Sequence, residues 1–433
     1  MRFIADLHIH SSHSQATGND LNLANLEKYA LIKGIDLLGT GDFTHPKWIE
    51  EIKEGLTDED GTGIYRSKNG YPFMLQTEIS LVYTQGGKGR RVHNLVLAPN
   101  LDAVRQITDY LLTKGRIDYD GRPIFKISCI DFVDNLKRIS KDIEVIPAHA
   151  WTPWFGVLGE KGGFNSLSEA FGDQVKHIHA IETGLSSNPP MNWRVKELDR
   201  YQLLSFSDLH SYWPWRMGRE ATIFNTEVTY KNILEAIRTG EGLSGTIEVD
   251  PGYGKYHFTG HRACGVCINP KDAVRVNNIC PKCGKKMTVG VVSRVEELAD
   301  PSRPEGYAPR NPKKYHTLIP LSEILAKMVG TAVSSKKVAA EFENIISTFG
   351  TEMNVLLNAS EEKLLLVTSK KITDAILKAR RGEVEVQPGF DGEYGIPLFS
   401  PNDRKEYYSK IDERIAAMNA AKKKTTQASL SGF

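Results

Sequence analysis

Short apolar runs recur along the first 245 residues, separated by polar stretches whose apolar positions repeat with helical spacing. The runs at 2–6, 35–39, 73–76, 93–98, 144–148, 179–182, 203–207 and 221–224 predict strands. The stretches at 23–33, 102–113, 130–140, 192–200 and 231–238 predict helices between them, with Gly34 and Gly240 where helices should stop. Repeated strand–helix alternation predicts an α/β fold with a largely parallel sheet. Seven or eight such units in about 245 residues suit a barrel better than two stacked domains.

The pattern changes after residue 250. Gly, Pro, Cys and basic residues dominate 250–315, and Pro301, Pro304, Pro309 and Pro312 mark an extended linker. Residues 317–382 read as helices at 321–329, 336–349, 353–357, 361–366 and 372–381, ended by Gly330, Gly350 and Gly382. Ser335 and Ser360 are placed to cap two of them. A last helix is expected around 405–418, followed by a small, polar tail expected to be disordered on its own. The chain thus divides into a catalytic barrel domain at 1–248, a metal-binding domain and linker at 249–315, a helical domain at 316–419 and a flexible tail at 420–433.

Composition narrows the class. Of 433 residues, 40% are hydrophobic and 25% charged, ordinary for a water-soluble globular chain. No apolar run approaches 18 residues, so neither a transmembrane helix nor a membrane partner is expected. The chain starts directly in a strand-like run without a basic leader, which predicts a cytoplasmic, nucleoid-associated protein rather than a secreted one. Net charge is only +2, but residues 250–314 carry 12 Lys and Arg against 6 Asp and Glu. A local excess of +6 points to a polyanionic partner. Four of the five cysteines form two close pairs, which is metal spacing and not a disulfide framework; Cys129 reads as a small buried apolar residue.

The histidines carry the chemistry. Nine of the 12 lie in the first 210 residues, several at strand ends. His8 and His10 place two imidazoles on one face of the first strand. His13 follows in the loop, and Asp42 and His45 follow the second strand. Glu78, His93 and His149 lie at further strands, and Asp208 with His210 closes the 203–207 run. His177 and His179 read equally well as a buried polar pair. Imidazoles and carboxylates gathered at one end of successive strands suit two or three divalent metals, Zn2+, Mn2+ or Mg2+. Such a cluster activates water as hydroxide and clamps the oxygens of an in-line displacement at phosphorus, so phosphoester hydrolysis is the expected chemistry.

With the His-x-His at 8–10, Glu78, His93, His149 and the Asp-x-His at 208–210, residues 1–245 resemble the polymerase and histidinol phosphatase (PHP) family. The resemblance implies a distorted seven-stranded (β/α)7 barrel with up to three metals. It implies His8, His10, Glu78, His93, His149, Asp208 and His210 as ligands, with Glu78, His149, Asp208 and His210 at the catalytic centre. Where that family commonly has Thr-Asp-His, this chain has Gly41-Asp42-Phe43 with His45 two residues on, so Asp42, His45 or neither is the ligand. His13 is the candidate for an early third histidine, at a short spacing.

Cys264-x-x-Cys267 and Cys280-x-x-Cys283, with 12 residues between them and His261 three residues before, predict a four-cysteine structural zinc ribbon. Lys271, Arg275, Lys282, Lys285 and Lys286 on that ribbon are candidates for gripping DNA phosphates. At the barrel mouth, Trp151, Trp154, Phe155, Tyr212, Trp213 and Trp215 could stack on an extruded base or pack the rim, and Arg216 and Arg219 could hold phosphate. Gln427, Leu430 and Phe433, behind three lysines, resemble the motif that docks on sliding clamps of the PCNA type.

The order of these parts resembles the endonuclease Q family, archaeal-type DNA repair endonucleases of the PHP class. That resemblance implies metal-dependent cleavage of damaged DNA 5′ to deoxyinosine, deoxyuridine, deoxyxanthosine and abasic sites. The other expectations are a PHP phosphatase of small phosphomonoesters and a non-catalytic DNA-binding adaptor. Neither uses the parts as fully.

Overall fold

A computed structural model describes residues 1–400 and 402–405. The fold is α/β. Its first strand, Arg2–Asp6, alternates exposed and buried side chains and then runs into a wholly buried segment through Ser11. It pairs in parallel with Leu37–Gly39, which pairs in parallel with Pro72–Met74. On its other side it pairs antiparallel with Ala221–Asn225, which pairs antiparallel with Leu243–Glu248.

The largely parallel sheet expected from alternation is therefore corrected to a mixed one. Among the described residues the ligand-bearing strands fall into an eight-stranded, a four-stranded and a two-stranded sheet. In the first sheet the antiparallel neighbour comes from the distant Ala221–Asn225 strand, and in the four-stranded sheet the reason is local. Gln76–Gln85 and Lys88–Leu97 form a long hairpin turned by Gly86 and Gly87, both with positive φ, the conformation of a tight two-residue hairpin turn. Glu144–Pro147 extends this sheet and adjoins the Ala180–Glu182 strand, which pairs in parallel with Gln202–Leu204.

The helices expected at 23–33, 102–113, 130–140 and 231–238 are present within a residue or so at each end. Gly34 and Gly240 end the first and last of these in the left-handed region. The helix expected at 192–200 is broken: Val195 is extended and separates Pro189–Trp193 from a 3-10 turn at Lys196–Arg200.

Five helices between Leu321 and Arg380 follow, two of them capped by Ser335 and Ser360 as expected. Their apolar faces share one core with the first part of the chain: Leu321, Ile324, Leu325 and Ile376 join the cluster that holds Leu26, Ala30 and Trp48. The linker ends in Lys314–Thr317, which adds in parallel to Leu243–Glu248. Among the described residues no helix is long and apolar enough to cross a membrane.

Candidate metal centre

The two histidine motifs meet side by side. Ile9 bridges Leu209 in parallel, His10 N donates to Leu209 O at 3.0 Å, and Leu209 N donates to His8 O at 3.3 Å. His8-Ile9-His10 and Asp208-Leu209-His210 are thus zipped together by backbone. Apolar Ile9 and Leu209 turn into the core while their polar neighbours turn to the site. Asp6, buried, accepts from Ser207 N at 3.0 Å and Gly218 N at 3.1 Å and so fixes the loop after Asp208.

Glu78 is at the centre. Its Oε1 lies 2.7 Å from His93 Nδ1 and 3.1 Å from His149 Nε2. Its Oε2 lies 3.2 Å from Arg122 Nη1, 3.3 Å from His10 Nε2 and 3.5 Å from His8 Nε2. Asp208 Oδ1 lies 3.1 Å from His10 Nε2 and 3.6 Å from His8 Nε2. Two donor groups result, His8–His10–Glu78–Asp208 and Glu78–His93–His149, each with its ligand atoms within 4.8 Å of one another. Glu78 belongs to both.

The donors suit a metal for a specific reason. His8 Nδ1 faces Glu182 Oε1 at 2.9 Å and His10 Nδ1 faces Asp42 Oδ1 at 3.0 Å. A carboxylate there selects the Nδ1–H tautomer and leaves each Nε2 lone pair pointing into the cluster. His8 Nε2 is buried with no hydrogen-bond partner. Burial opposes ionisation of Glu78, but His93, Arg122 and His8 outweigh it and hold the carboxylate well below its ordinary range. Burial likewise opposes the charge on Asp208, and His210, His10 and His8 outweigh it. These buried carboxylates demand positive charge, which divalent ions supply in place of imidazole protons. Asp42, His149 and Asp208 all have positive φ, at 40°, 29° and 48°. Backbone strain concentrated at three site residues is held in place by the packing around them.

Several expected ligands sit elsewhere. Asp42 is behind His10, not in the cluster: its second oxygen accepts from Ser11 N and Ser11 Oγ, each at 2.6 Å, and from Ser14 Oγ at 2.9 Å. His13 and His45 stack on each other, centroids 4.3 Å apart, and His13 Nε2 pairs with Glu51 at 3.1 Å. Neither joins a donor group; His45 directly precedes the Pro46–Gly55 helix. His210 lies against His10 at 4.5 Å, its Nδ1 donating to Asp208 O at 2.9 Å. His179 pairs with Glu144 at 2.6 Å, at the start of a strand whose far end leads to His149.

Sequence reasoning missed Glu182 and Arg122. Glu182 closes a predicted strand, as Glu78 and Asp208 were read to do, and that position was the available signal. Arg122 sits in a loop with no such signal.

The second metal site needs one correction. His261, Cys264, Cys280 and Cys283 come together, with His261 Nδ1 3.3 Å from Cys283 Sγ; Cys267 is not in the group. The turns explain why. Gly265 follows Cys264 and Gly284 follows Cys283, both left-handed, so the matching knuckles are His261-x-x-Cys264-Gly and Cys280-x-x-Cys283-Gly. Cys267 lies beyond the turn, on the Val266–Ile268 strand opposite Gly260. Three thiolates and an imidazole suit a closed tetrahedral zinc site. Lys282 Nζ donates to Cys264 O at 2.9 Å, while Lys285 and Lys286 are exposed.

Among the expected aromatics, Trp151 is 1% exposed and its indole donates to Asn192 Oδ1 at 2.8 Å, so it is a core residue and cannot stack on a base. Tyr212 is also buried, bonded to Asp20. Trp213 is 42% exposed and lies flat on Trp215, 5.3 Å between centroids and 3° between planes. Trp154 is half-buried against Tyr256. Arg216 and Arg219 are half-buried, and Arg219 donates to Ser207 O at 3.3 Å. Gln427, Leu430 and Phe433 lie outside the described residues.

Residues 320–383 match the family described as the MJ0043 C-terminal domain. The chain is 32% identical over 308 residues to the uncharacterized protein MJ0043 of Methanocaldococcus jannaschii, covering 69% of this chain but only 36% of that protein. It is 32% identical over 416 residues to the uncharacterized protein YqxK of Bacillus subtilis, covering 91% of this chain and 98% of that one. Among solved structures, the lesion-specific endonuclease PfuEndoQ of Pyrococcus furiosus superposes with a TM-score of 0.82 at 32% identity, over 94% of this chain and 97% of that one. An Endonuclease Q complex with a 27-mer duplex bearing an abasic lesion at its active site also gives 0.82 and 32%, over 93% and 98%. With sequence and structure both related over nearly the full length, the chain belongs to the endonuclease Q family.

Proposed function

We propose that this chain is a metal-dependent DNA repair endonuclease that hydrolyses the phosphodiester 5′ to a damaged nucleotide. Deoxyinosine, deoxyuridine, deoxyxanthosine and abasic sites are the lesions. The observation that carries the reading is Glu78, shared between two donor groups whose remaining members are histidines and Asp208. His8, His10 and Asp208 would hold one ion, His93 and His149 a second, with Glu78 between them and His210 at the rim. Divalent ions supply Lewis acidity at the phosphate oxygens and lower the pKa of water. Glu182 and Asp42 orient His8 and His10. The positive-φ backbone at His149 and Asp208 helps fix where their side chains leave the chain.

The fold reading that goes with this function is a distorted (β/α)7 PHP barrel over 1–248. A zinc-stabilised module over 249–315 and a helical domain over 316–419 complete it. Damaged duplex DNA is the partner, as it is for the related Endonuclease Q complex. Trp213, stacked on Trp215 and exposed, is the aromatic this reading assigns to meet an extruded base or wedge the duplex, with Trp154, packed against Tyr256, as the second. Arg216, Arg219, Lys285 and Lys286 are the phosphate contacts in this reading. The tail at Gln427, Leu430 and Phe433 would dock on a sliding clamp of the PCNA type.

The test is purified chain with Mn2+, Mg2+ or Zn2+ and an end-labelled duplex carrying one lesion, beside an undamaged duplex and a phosphomonoester. A nick on the 5′ side of the lesion, lost on Asp208→Asn, is expected. Release of phosphate from the monoester alone, or binding without cleavage, overturns it.

A further inference from the structure

We propose that Arg122 is a catalytic residue whose guanidinium grips the non-bridging oxygens of the reacting phosphodiester. The proposal deepens the nuclease reading and rests on it. In that hydrolysis the water oxygen bonds to phosphorus and the bond from phosphorus to the leaving sugar oxygen breaks. One water proton ends on that sugar oxygen and the other passes to solvent. Negative charge on the non-bridging oxygens is what a fixed cation would stabilise.

Arg122 is built into place. Its backbone N–H donates to Asp120 Oδ1 at 3.1 Å, and the same oxygen accepts from Gln15 N at 3.2 Å. Gly121 N donates to His13 O at 3.0 Å, and Ser80 N donates to Pro123 O at 3.1 Å. The loop is therefore pinned on both sides of the arginine. It also packs closely on the carboxylate that faces His10: a Cβ at position 121 would collide with Asp42 Oδ2 and Ser14 Oγ, so glycine suits the approach.

The side chain is placed for a ligand and not only for Glu78. Nη1 lies 3.2 Å from Glu78 Oε2, the carboxylate shared by both donor groups. Among the described residues this is its one side-chain hydrogen bond, although guanidinium offers five donors. The side chain is 23% exposed, so it is not sealed off from a ligand arriving from solvent. Ions bound to Glu78 would draw that carboxylate's charge to themselves and loosen its hold on Arg122. The planar fork would then be free for two phosphate oxygens, a geometry that lysine lacks.

The experiment compares wild type, Arg122→Ala and Arg122→Lys as full chains with Mn2+ and a lesion-bearing duplex. Single-turnover rate, DNA affinity, bound Mn2+ and thermal stability are measured. The expected result is a rate loss of about 100- to 1,000-fold for Arg122→Ala. Bound Mn2+ should be unchanged, rescue by Arg122→Lys partial, and activity of Arg122→Ala partly restored by added guanidinium ion. A rate for Arg122→Ala within threefold of wild type overturns the proposal. So does full activity in Arg122→Lys, or a rate loss matched by loss of bound Mn2+. Should Arg122→Ala fail to fold, Arg122→Lys decides by the same rate and Mn2+ criteria. A wild-type chain that nicks none of the duplexes overturns the nuclease reading and this role with it; a wild type that nicks beside an unaffected Arg122→Ala overturns this role alone.

Discussion

Lys33 Nζ and Glu352 Oε1 meet at 2.7 Å in the interior, joining residues 319 positions apart. Lys33 also donates to Pro214 O at 2.8 Å, and the same Glu352 oxygen accepts from Leu321 N at 2.9 Å. One buried ion pair therefore ties the Leu23–Lys33 helix, the helical region and the loop after His210. Removing one partner strands a charge away from water. Lys33→Met or Glu352→Leu alone should cost about 3–5 kcal/mol, and the double variant clearly less. Denaturant unfolding of the three variants checks it; equal losses for single and double variants would refute the coupling.

Glu182→Gln keeps the size of the side chain but removes the charge facing His8 Nδ1. The tautomer that points Nε2 at the cluster is then less favoured, and metal affinity should fall about 10- to 100-fold. Titration with Mn2+ reads this directly, without any DNA.

At the second site, His261→Ala and Cys264→Ser should each release the bound zinc, while Cys267→Ser should retain it. Metal analysis of the three purified variants separates the knuckle geometry described above from a four-cysteine site.

The two tryptophans should divide by role. Trp151→Ala removes a buried ring and its hydrogen bond and should cost about 3–5 kcal/mol of stability. Trp213→Ala should leave stability nearly unchanged and weaken lesion recognition by about 1–3 kcal/mol, the worth of one base–aromatic stack. Unfolding curves and DNA affinity measured on both variants test the division.

Glu220 and Glu248 stand opposite each other, one step beyond the Ala221–Ile247 pair, and both are fully buried. Burial pushes Glu248 up to about 8, and burial together with Glu248 pushes Glu220 well above its usual range. In the unfolded chain both lose their protons near pH 4 to 5. The folded chain thus binds more protons between about pH 4.5 and 8, and this pair's contribution to stability falls as pH rises through that window. Glu248→Gln should gain stability relative to wild type at pH 8 compared with pH 5. A pH-independent difference would refute the upward shift at Glu248.

Local chemistry made much of the fold readable. Capping serines, helix-stopping glycines and alternating strands act within a few residues, so the helices at 23–33, 321–329 and 336–349 have the bounds their patterns predict. The Gly86-Gly87 turn was equally local, and it made the hairpin that mixes the sheet.

That His8, His10, Glu78, His93, His149 and Asp208 lie at strands was readable from the pattern, and the structure brings them into two donor groups. What each partner does was not legible. His10 meets Asp42 across 32 residues and Asp208 across 198, and whether a carboxylate faces a ring's Nδ1 or its Nε2 depends on how distant strands settle together. The same holds for His261 over Cys267, for Trp151 turned inward and Trp213 outward, and for Arg122 on its glycine-seated loop. Residue type and spacing determine which atoms can bind a metal or a phosphate. Packing over long sequence separations decides which of them face one another, because a side chain's direction is set by the neighbours that exclude it from everywhere else.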